Sequence, residues 1–372
     1  MKIKFNDLNA QWKIIKESCE KDINLLFQNS DFILGEKVLD FESNFSKFCN
    51  VKYSIGVSSG TDAIKLAGLS LIEDTLSKNI LIFIPVNTFI ATYIGLKDAF
   101  PNAKFILIDC DDFYQIDTNI LEEQVLKNRK DFNHCIIAPV HLYGYTANMS
   151  KIKQISKKNN CFILEDSSQA HGAIDDENNL AGSTGDVSAF SLYPGKNLGA
   201  AGDAGIITTN NLKIFEKIKL LRNYGSVKKY SHEIFGFNYR LDTMQAIILN
   251  QKLKFLNEWN SKRRLIINEI CLNVSNQKII MPQTPNYCKI PAHHIFPVRV
   301  KDRENFINYL NNNLIENGIH YPVPLNKLDF IKADFISNNK SNIFCDELVS
   351  LPIHPFISHL EIEKIISILQ KY

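Results

Sequence analysis

No two of the eight cysteines stand at Cys-x-x-Cys spacing, which excludes zinc ribbons and dithiol redox motifs of the usual kind. Several lie inside apolar runs such as Cys135-Ile-Ile and Cys161-Phe-Ile-Leu, the setting of reduced, buried thiols in a cytoplasmic protein. No stretch reaches the length of a membrane span. The residues up to Asp7 lack the apolar core and cleavage site of a signal peptide. An excess of one charge is also missing: 42 basic residues against 40 acidic ones leave a net charge of +2. That balance argues against nucleic acid or an anionic membrane as a partner, while a single nucleotide-sized anion stays compatible with a local cluster of donors. His232, His293, His294 and His354 show no metal-ligand spacing, so no metal is expected. Internal repeats, low-complexity tracts and Pro/Gly-rich linkers are absent as well.

What is present is a chain of 372 residues, 45% of them hydrophobic, long enough for one large and one smaller domain. From about residue 50 to 210, short apolar runs alternate with helix-length amphipathic stretches. The runs are Tyr53–Val57, Ile80–Ile84, Lys104–Ile108, Cys135–Val140, Cys161–Leu164, Val187–Leu192 and Ala204–Thr208. Helical patterns such as Ala63–Leu71 and Ile152–Lys158 lie between them. This order predicts an α/β fold with a largely parallel sheet. Ligands of such sheets bind beyond the carboxyl ends of the strands. A helical period over Leu241–Leu256 reads as one long connecting helix. Beyond it, strands at Ile279–Met281 and His294–Val300 and helices at Asp302–Asn317 and Glu361–Gln370 suggest the smaller domain. The expected division is 1–250 and 251–372.

Three strand ends carry residues with chemical potential. Ser58-Ser-Gly-Thr-Asp62 precedes a helix, where small residues leave backbone N–H groups free for a phosphate. The same residues also serve as plain N-caps. Asp166 ends an apolar run, where a carboxylate needs a partner. A protonated pyridine nitrogen is one candidate, and a turn N–H or a nearby cation is another. Lys196 sits in Tyr193-Pro-Gly-Lys-Asn-Leu-Gly199, a glycine-rich turn that fits neither the Walker A nor the dinucleotide fingerprint. Partial burial would prepare its amine for Schiff-base chemistry, whereas a plain surface turn would leave it inert.

Taken in order, the segments resemble the DegT/DnrJ/EryC1/StrS family of sugar aminotransferases, which have the aspartate-aminotransferase (type I) fold. Six segments carry the resemblance: Gly56-Val-Ser-Ser-Gly-Thr-Asp-Ala63, Ile84-Pro-Val-Asn-Thr-Phe-Ile-Ala-Thr92, Pro139-Val-His-Leu-Tyr-Gly144, Glu165-Asp-Ser-Ser-Gln-Ala-His-Gly172, Ser191-Leu-Tyr-Pro-Gly-Lys-Asn-Leu-Gly199 and Gly236-Phe-Asn-Tyr-Arg-Leu-Asp242. It extends from Phe32 to Pro355 and implies a large domain with a mixed, mostly parallel sheet and a smaller C-terminal α/β domain. It also implies pyridoxal 5′-phosphate as cofactor, joined through a Schiff base to Lys196, with Asp166 on the pyridine nitrogen. By the same resemblance Gln169 contacts the ring hydroxyl, Phe89 stacks on the ring, and Gly60, Thr61 and Ser191 bind the phosphate. Asn238 looks like the phosphate ligand given by a neighbouring subunit, hence a homodimer with shared active sites.

The implied activity passes an amino group from L-glutamate to a nucleotide-linked keto-sugar in a ping-pong sequence. Dehydratases of the same family carry histidine where Lys196 stands, so Lys196 argues against that branch. Arg222-Asn-Tyr-Gly-Ser226 followed by Lys228-Lys-Tyr230 is most similar to the branch that aminates C3 of dTDP-linked 3-keto-6-deoxyhexoses. Amination at C4 of a dTDP- or UDP-linked sugar is the alternative, and a non-catalytic regulatory or binding protein on the same fold is a second. Tyr193, Tyr224, Tyr230 and Tyr321 would line the sugar side, although each reads equally well as an ordinary half-buried tyrosine. One departure stands out: after His320-Tyr-Pro-Val-Pro324 the family pattern continues with His and Leu, whereas this chain has Leu325-Asn-Lys-Leu-Asp.

Overall fold

In the computed structural model, which describes residues 2–73, 75, 76 and 79–372, all seven apolar runs become strands of one sheet. They are β1 (Tyr53–Val57), β2 (Ile80–Pro85), β3 (Lys104–Ile108), β4 (His134–Ile137), β5 (Phe162–Asp166), β6 (Val187–Ser191) and β7 (Gly205–Thr209). In the C-terminal part, beyond the short strand Cys288–Ile290, come β8 (Phe296–Arg299), β9 (Asp334–Ile336) and β10 (Leu348–Leu351). The large sheet has eight strands in the order β1-β7-β6-β5-β4-β2-β3-β9. Only the pairings of β7 with β1 and β6 are antiparallel, so the sheet is mixed and mostly parallel.

β2 shows why these runs read so clearly. All six of its residues are buried, as a central strand covered on both faces requires. Strand alternation sends Ile80, Ile82 and Ile84 into one core with the helix Gly60–Leu71. Leu81 and Phe83 enter a second core, against helices Thr118–Asn128 and Met149–Asn159. The fold is thus an α/β sheet with helices on both faces. β8 and β10 form a separate antiparallel pair, and its core gathers residues 266–369 together with Ile3. All eight cysteines are free thiols. No helix among the described residues is long and apolar enough to cross a membrane.

Several expectations are corrected. The single helix over Leu241–Leu256 is two, Thr243–Leu253 and Leu256–Asn273, joined by a turn at Lys254 and Phe255 while the apolar spacing runs on through it. Ile279–Met281 forms no strand, only one bridge from Ile280 to Arg299. The helix expected to reach Asn317 stops at Asn312. β9, too short for a periodicity signal, extends the large sheet as an edge strand paired with β3.

Two buried ionic clusters hold the ends of strands that carry site residues. Arg222 pairs with Glu42 and donates to the Gly56 carbonyl at 2.7 Å, while Glu42 accepts from Gly56 N–H at 2.8 Å. Glu165, next to Asp166 on β5, has no solvent exposure. It accepts from His141 Nε2 at 2.9 Å and from the N–H groups of Gly182, Thr184 and Gly185 at 3.0, 2.8 and 2.6 Å. Ala147 N–H occupies His141 Nδ1, so the ring proton on Nε2 points at the carboxylate.

Burial alone would raise the Glu165 carboxyl, but His141 and the backbone donors outweigh it and hold the group below its ordinary 4.5. Its stabilisation is therefore complete above that pH and drains away as the pH falls further. Glu165→Gln should cost about 1–3 kcal/mol at neutral pH and flatten the acid side of a plot of melting temperature against pH. An unchanged acid limb would show that Glu165 does not drive it.

Candidate active site

After β6 the chain turns through Tyr193–Gly199 and returns. Lys196 N–H bonds the Tyr193 carbonyl at 2.9 Å, and Ala200 N–H bonds Leu192 at 2.8 Å. The turn is so tight that a Cβ on Gly199 would lie 2.3 Å from the Pro194 carbonyl oxygen, so only glycine fits. From below, the buried Lys252 ammonium donates to the Gly199 carbonyl at 2.7 Å. The turn delivers Lys196 to the wall of a cavity of about 630 Å³. Burial, partly opposed by the charge of Asp166, pushes its amine down to about 8. A minor share is then unprotonated, and nucleophilic, near neutral pH.

Asp166 faces the same cavity from the end of β5. Its carboxylate accepts from Thr92 Oγ1 at 2.7 Å and from Ser168 N–H at 3.1 Å, and Thr88 pairs with Thr92 at 3.1 Å. Among the described residues no lysine or arginine forms an ion pair with it, though it is 4% exposed. A buried carboxylate with neutral partners on one side and a cavity on the other is arranged to receive a cation.

The helix Gly60–Leu71 opens onto the cavity with Ser59, Gly60 and Thr61. Ser59 caps it, its hydroxyl taking Asp62 N–H and its carbonyl taking Ala63 N–H. That leaves the Gly60 and Thr61 N–H groups without intrahelical acceptors. A Cβ on Gly60 would lie 2.5 Å from Ser191 Cβ and 3.0 Å from its hydroxyl. The helix start and the Ser191 hydroxyl thereby make one small cradle of donors at the positive end of a helix.

Phe89, Gln169, Tyr193 and Tyr321 also line this cavity. Gln169 donates to the Tyr321 hydroxyl at 3.0 Å and accepts from Tyr143 N–H at 2.7 Å. The Phe89 and Tyr321 rings lie 5.4 Å apart. Asn238, Tyr224 and Tyr230 are elsewhere. Asn238 faces an adjoining hollow of about 420 Å³ with Ser58, Arg240 and Asp242, and Asp203 lies between the two spaces. Tyr224 packs under the Arg240 guanidinium, 5.3 Å from ring centroid to carbon, and Tyr230 is 85% exposed.

Alternation explains how Asn238 is aimed. Residues 237–242 run as an extended ribbon bridged to Asn223, Val57 and Ile33. Phe237 and Tyr239 stack at 4.9 Å on the inner side, gripped by Lys65, whose ammonium is 4.0 Å from the Phe237 centroid and 3.3 Å from the Tyr239 hydroxyl. Leu241 is buried behind them. Asn238, Arg240 and Asp242 take the outer side together.

Sequence reasoning missed several wall residues. Phe5 and Asn6 reach the cavity because the N-terminal strip is strapped to the C-terminal core: Ile3 N–H bonds the Leu314 carbonyl at 2.9 Å and Phe5 N–H bonds Glu316 at 2.7 Å. Nothing local in residues 3–6 signals this. His294 and His320 also line it, and burial, then the charge of Lys196, pushes His320 down to about 4. Together the wall offers a nucleophilic amine, an unpaired buried carboxylate, an anion cradle and neutral imidazoles, a set suited to covalent capture of a phosphorylated, cationic ring and proton transfer beside it.

A sequence model of the DegT/DnrJ/EryC1/StrS aminotransferase family matches residues 13–370. A dTDP-3-amino-3,6-dideoxy-alpha-D-galactopyranose transaminase of Aneurinibacillus thermoaerophilus is 38% identical over 100% of this chain and 99% of its own length. A dTDP-3-amino-3,4,6-trideoxy-alpha-D-glucose transaminase of Streptomyces venezuelae is 29% identical over 100% and 96%. The crystal structure of S. venezuelae DesV, in complex with a ketimine intermediate, superposes with a TM-score of 0.91 at 30% identity, covering 100% of this chain and 98% of that one.

Proposed function

We propose that this chain, which belongs to the DegT/DnrJ/EryC1/StrS aminotransferase family, transfers an amino group from L-glutamate to C3 of a dTDP-linked 3-keto-6-deoxyhexose. The observation that carries the reading is the pairing of Lys196 and Asp166 on one cavity wall. The dTDP-linked, C3-aminated sugar is supported by the names of the 38% and 29% identical relatives, both of which span the whole chain.

The residues fit pyridoxal 5′-phosphate. Asp166 is a buried carboxylate without a cation, as a protonated pyridine nitrogen requires, and the missing Cβ of Gly60 lets the helix start and Ser191 come close enough to present their donors to one phosphate. Lys196, Asp166, Gln169 and Phe89 would hold the ring, and Gly60, Thr61 and Ser191 the phosphate. When bound, this cofactor supplies an electron sink that makes loss of an amino acid's α proton accessible. Asp166, fixed by Thr92 and Ser168, would hold the ring nitrogen and so support that electron sink. Lys196 Nζ, with its lowered basicity, takes the proton from the donor's α carbon and returns one during sugar amination. The two substrates use the cavity in turn.

Asn238 points out of this cavity, so in this reading one copy supplies it to the other's phosphate site. Tyr224 and Tyr230 accompany it, while Tyr193 and Tyr321 line the sugar side of their own cavity. A division at about residue 250 belongs to the same proposal. The separate core of residues 266–369 supports it; Ile3 joins that core from the first part, and β9 joins the large sheet from the second.

The test is a spectrum and a product. Protein loaded with pyridoxal phosphate should be yellow, bleach on addition of L-glutamate, and regain its colour when a dTDP-3-keto-6-deoxyhexose is added, with NMR placing the new amine at C3. An amine at C4 would move the assignment to 4-keto sugars. A chromophore that no amino acid bleaches would mean a non-catalytic protein on this fold.

A further inference from the structure

His294 stands on the cavity wall with Lys196, and among the described residues its ring has one hydrogen-bond partner: Nδ1 lies 3.0 Å from Asn197 Oδ1. The other bonds of Asn197 settle which atom carries the proton. Asn197 Nδ2 donates to Asn260 Oδ1 at 2.8 Å and to the Ala292 carbonyl at 2.9 Å. Asn260 is itself oriented by donating to the His171 carbonyl at 2.7 Å. Both hydrogens of the Asn197 amide are thus spent, and the atom it turns to the imidazole is an acceptor only. The imidazole must donate, so its proton sits on Nδ1.

Burial, then the charges of Lys196 and Arg263, holds this ring well below its usual range, and it stays neutral. Nε2 is then a bare lone pair. Among the described residues no protein donor reaches it, yet it is not a sealed-off atom; it opens on the cavity. His320 differs: its Nδ1 meets the Ser350 hydroxyl at 2.8 Å, which can donate or accept, so its tautomer is free.

We infer that His294 Nε2 accepts a hydrogen bond from a ring hydroxyl of the acceptor sugar, and so favours the sugar over the amino donor in the cavity they share. The inference rests on the function proposed above. Its chemistry is the contrast between the two substrates. Glutamate brings carboxylates, which only accept and are repelled by a fixed lone pair. A keto-deoxyhexose brings hydroxyls, which donate. The other polar groups on the wall are mainly donors or can switch: the Lys196 amine, the Tyr193 and Tyr321 hydroxyls and the N–H groups of Gly60 and Thr61. Of the two carboxylates, Asp166 is already engaged by Thr92 and Ser168, and Asp203 lies at the edge shared with the adjoining hollow. Asn197 is a positioning residue that acts through His294.

The experiment separates the two half-reactions of the loaded enzyme by single-turnover absorbance. His294→Phe should weaken the apparent affinity for the keto-sugar at least about tenfold and move the glutamate half-reaction by less than about twofold. His294→Gln, which keeps an acceptor, should recover part of the loss. Equal losses in both half-reactions, or none in either, would overturn the inference. Independently of turnover, NMR of the wild-type protein labelled with 15N-histidine should show His294 protonated at Nδ1 and bare at Nε2, and the opposite tautomer would overturn it as well. If the wild type bleaches with glutamate but accepts no sugar nucleotide, the proposed function fails instead, and the nitrogen spectrum still decides the tautomer.

Discussion

Lys196→Ala should lose at least about 10⁴-fold in transamination rate while melting within a few degrees of the wild type. The activity loss follows from the cavity: among its lining residues Lys196 is the one amine, and none of the neighbouring tyrosines or neutral imidazoles can replace it as covalent partner and proton carrier together. The modest effect on stability follows from the same geometry. The side chain lines the cavity, and its ammonium is held against a desolvation cost that lowers its basicity to about 8. Removing it takes away a strained charge rather than a packed group. Glutamate-dependent transfer measured beside a thermal melt checks both halves, and partial recovery on adding a small primary amine would show that a proton carrier is what was lost. A normal rate in this variant would remove Lys196 from the mechanism.

The second large effect is on folding. Arg222→Met should destabilise the protein by about 3–5 kcal/mol, read from the urea midpoint. Side-chain exposures of 7% for Arg222 and 11% for Glu42 mean that removing the guanidinium strands a carboxylate away from water. It also leaves the Gly56 carbonyl without the 2.7 Å bond it now accepts. The double variant Glu42→Leu/Arg222→Met should regain a good part of the loss, because the stranded charge goes with its partner. Additive losses would mean that the two groups act separately. The pair ties α-helical residue Glu42 to the end of the helix Leu212–Leu221, and Gly56 sits on β1 just ahead of the Ser59–Thr61 cradle, so loss of the pair would also be felt at that cradle.

The large sheet was open to sequence reading because its strands are buried on both faces and read as unbroken apolar runs, with Lys196 and Asp166 falling just past two of them. The two-helix break at Lys254 and Phe255 was not, since the apolar spacing continues through the turn. β9 has three residues and no period. The role of His294 was hidden for another reason: its tautomer is decided by Asn197 and Asn260, 63 residues apart in the chain, and proton placement leaves no mark on a string of letters. Asn238 is an intermediate case. Its motif was visible, and so was the alternation of Phe237-Asn-Tyr-Arg-Leu-Asp242, from which its outward aim could have been deduced.

That ribbon also divides its residues between two masters. Phe237, Tyr239 and Leu241 answer to the interior, through the Lys65 grip and the core behind it. Asn238, Arg240 and Asp242 answer to whatever occupies the hollow outside. Variation can therefore explore Asn238 and Asp242, in a laboratory library or over evolutionary time, at less cost to folding than Arg240, which also bonds Asn223 and covers Tyr224. A deletion of one residue cannot, because it exchanges the two sets at a stroke, turning charge inward and aromatics outward. New specificity is within reach here by substitution and closed to single-residue insertion or loss.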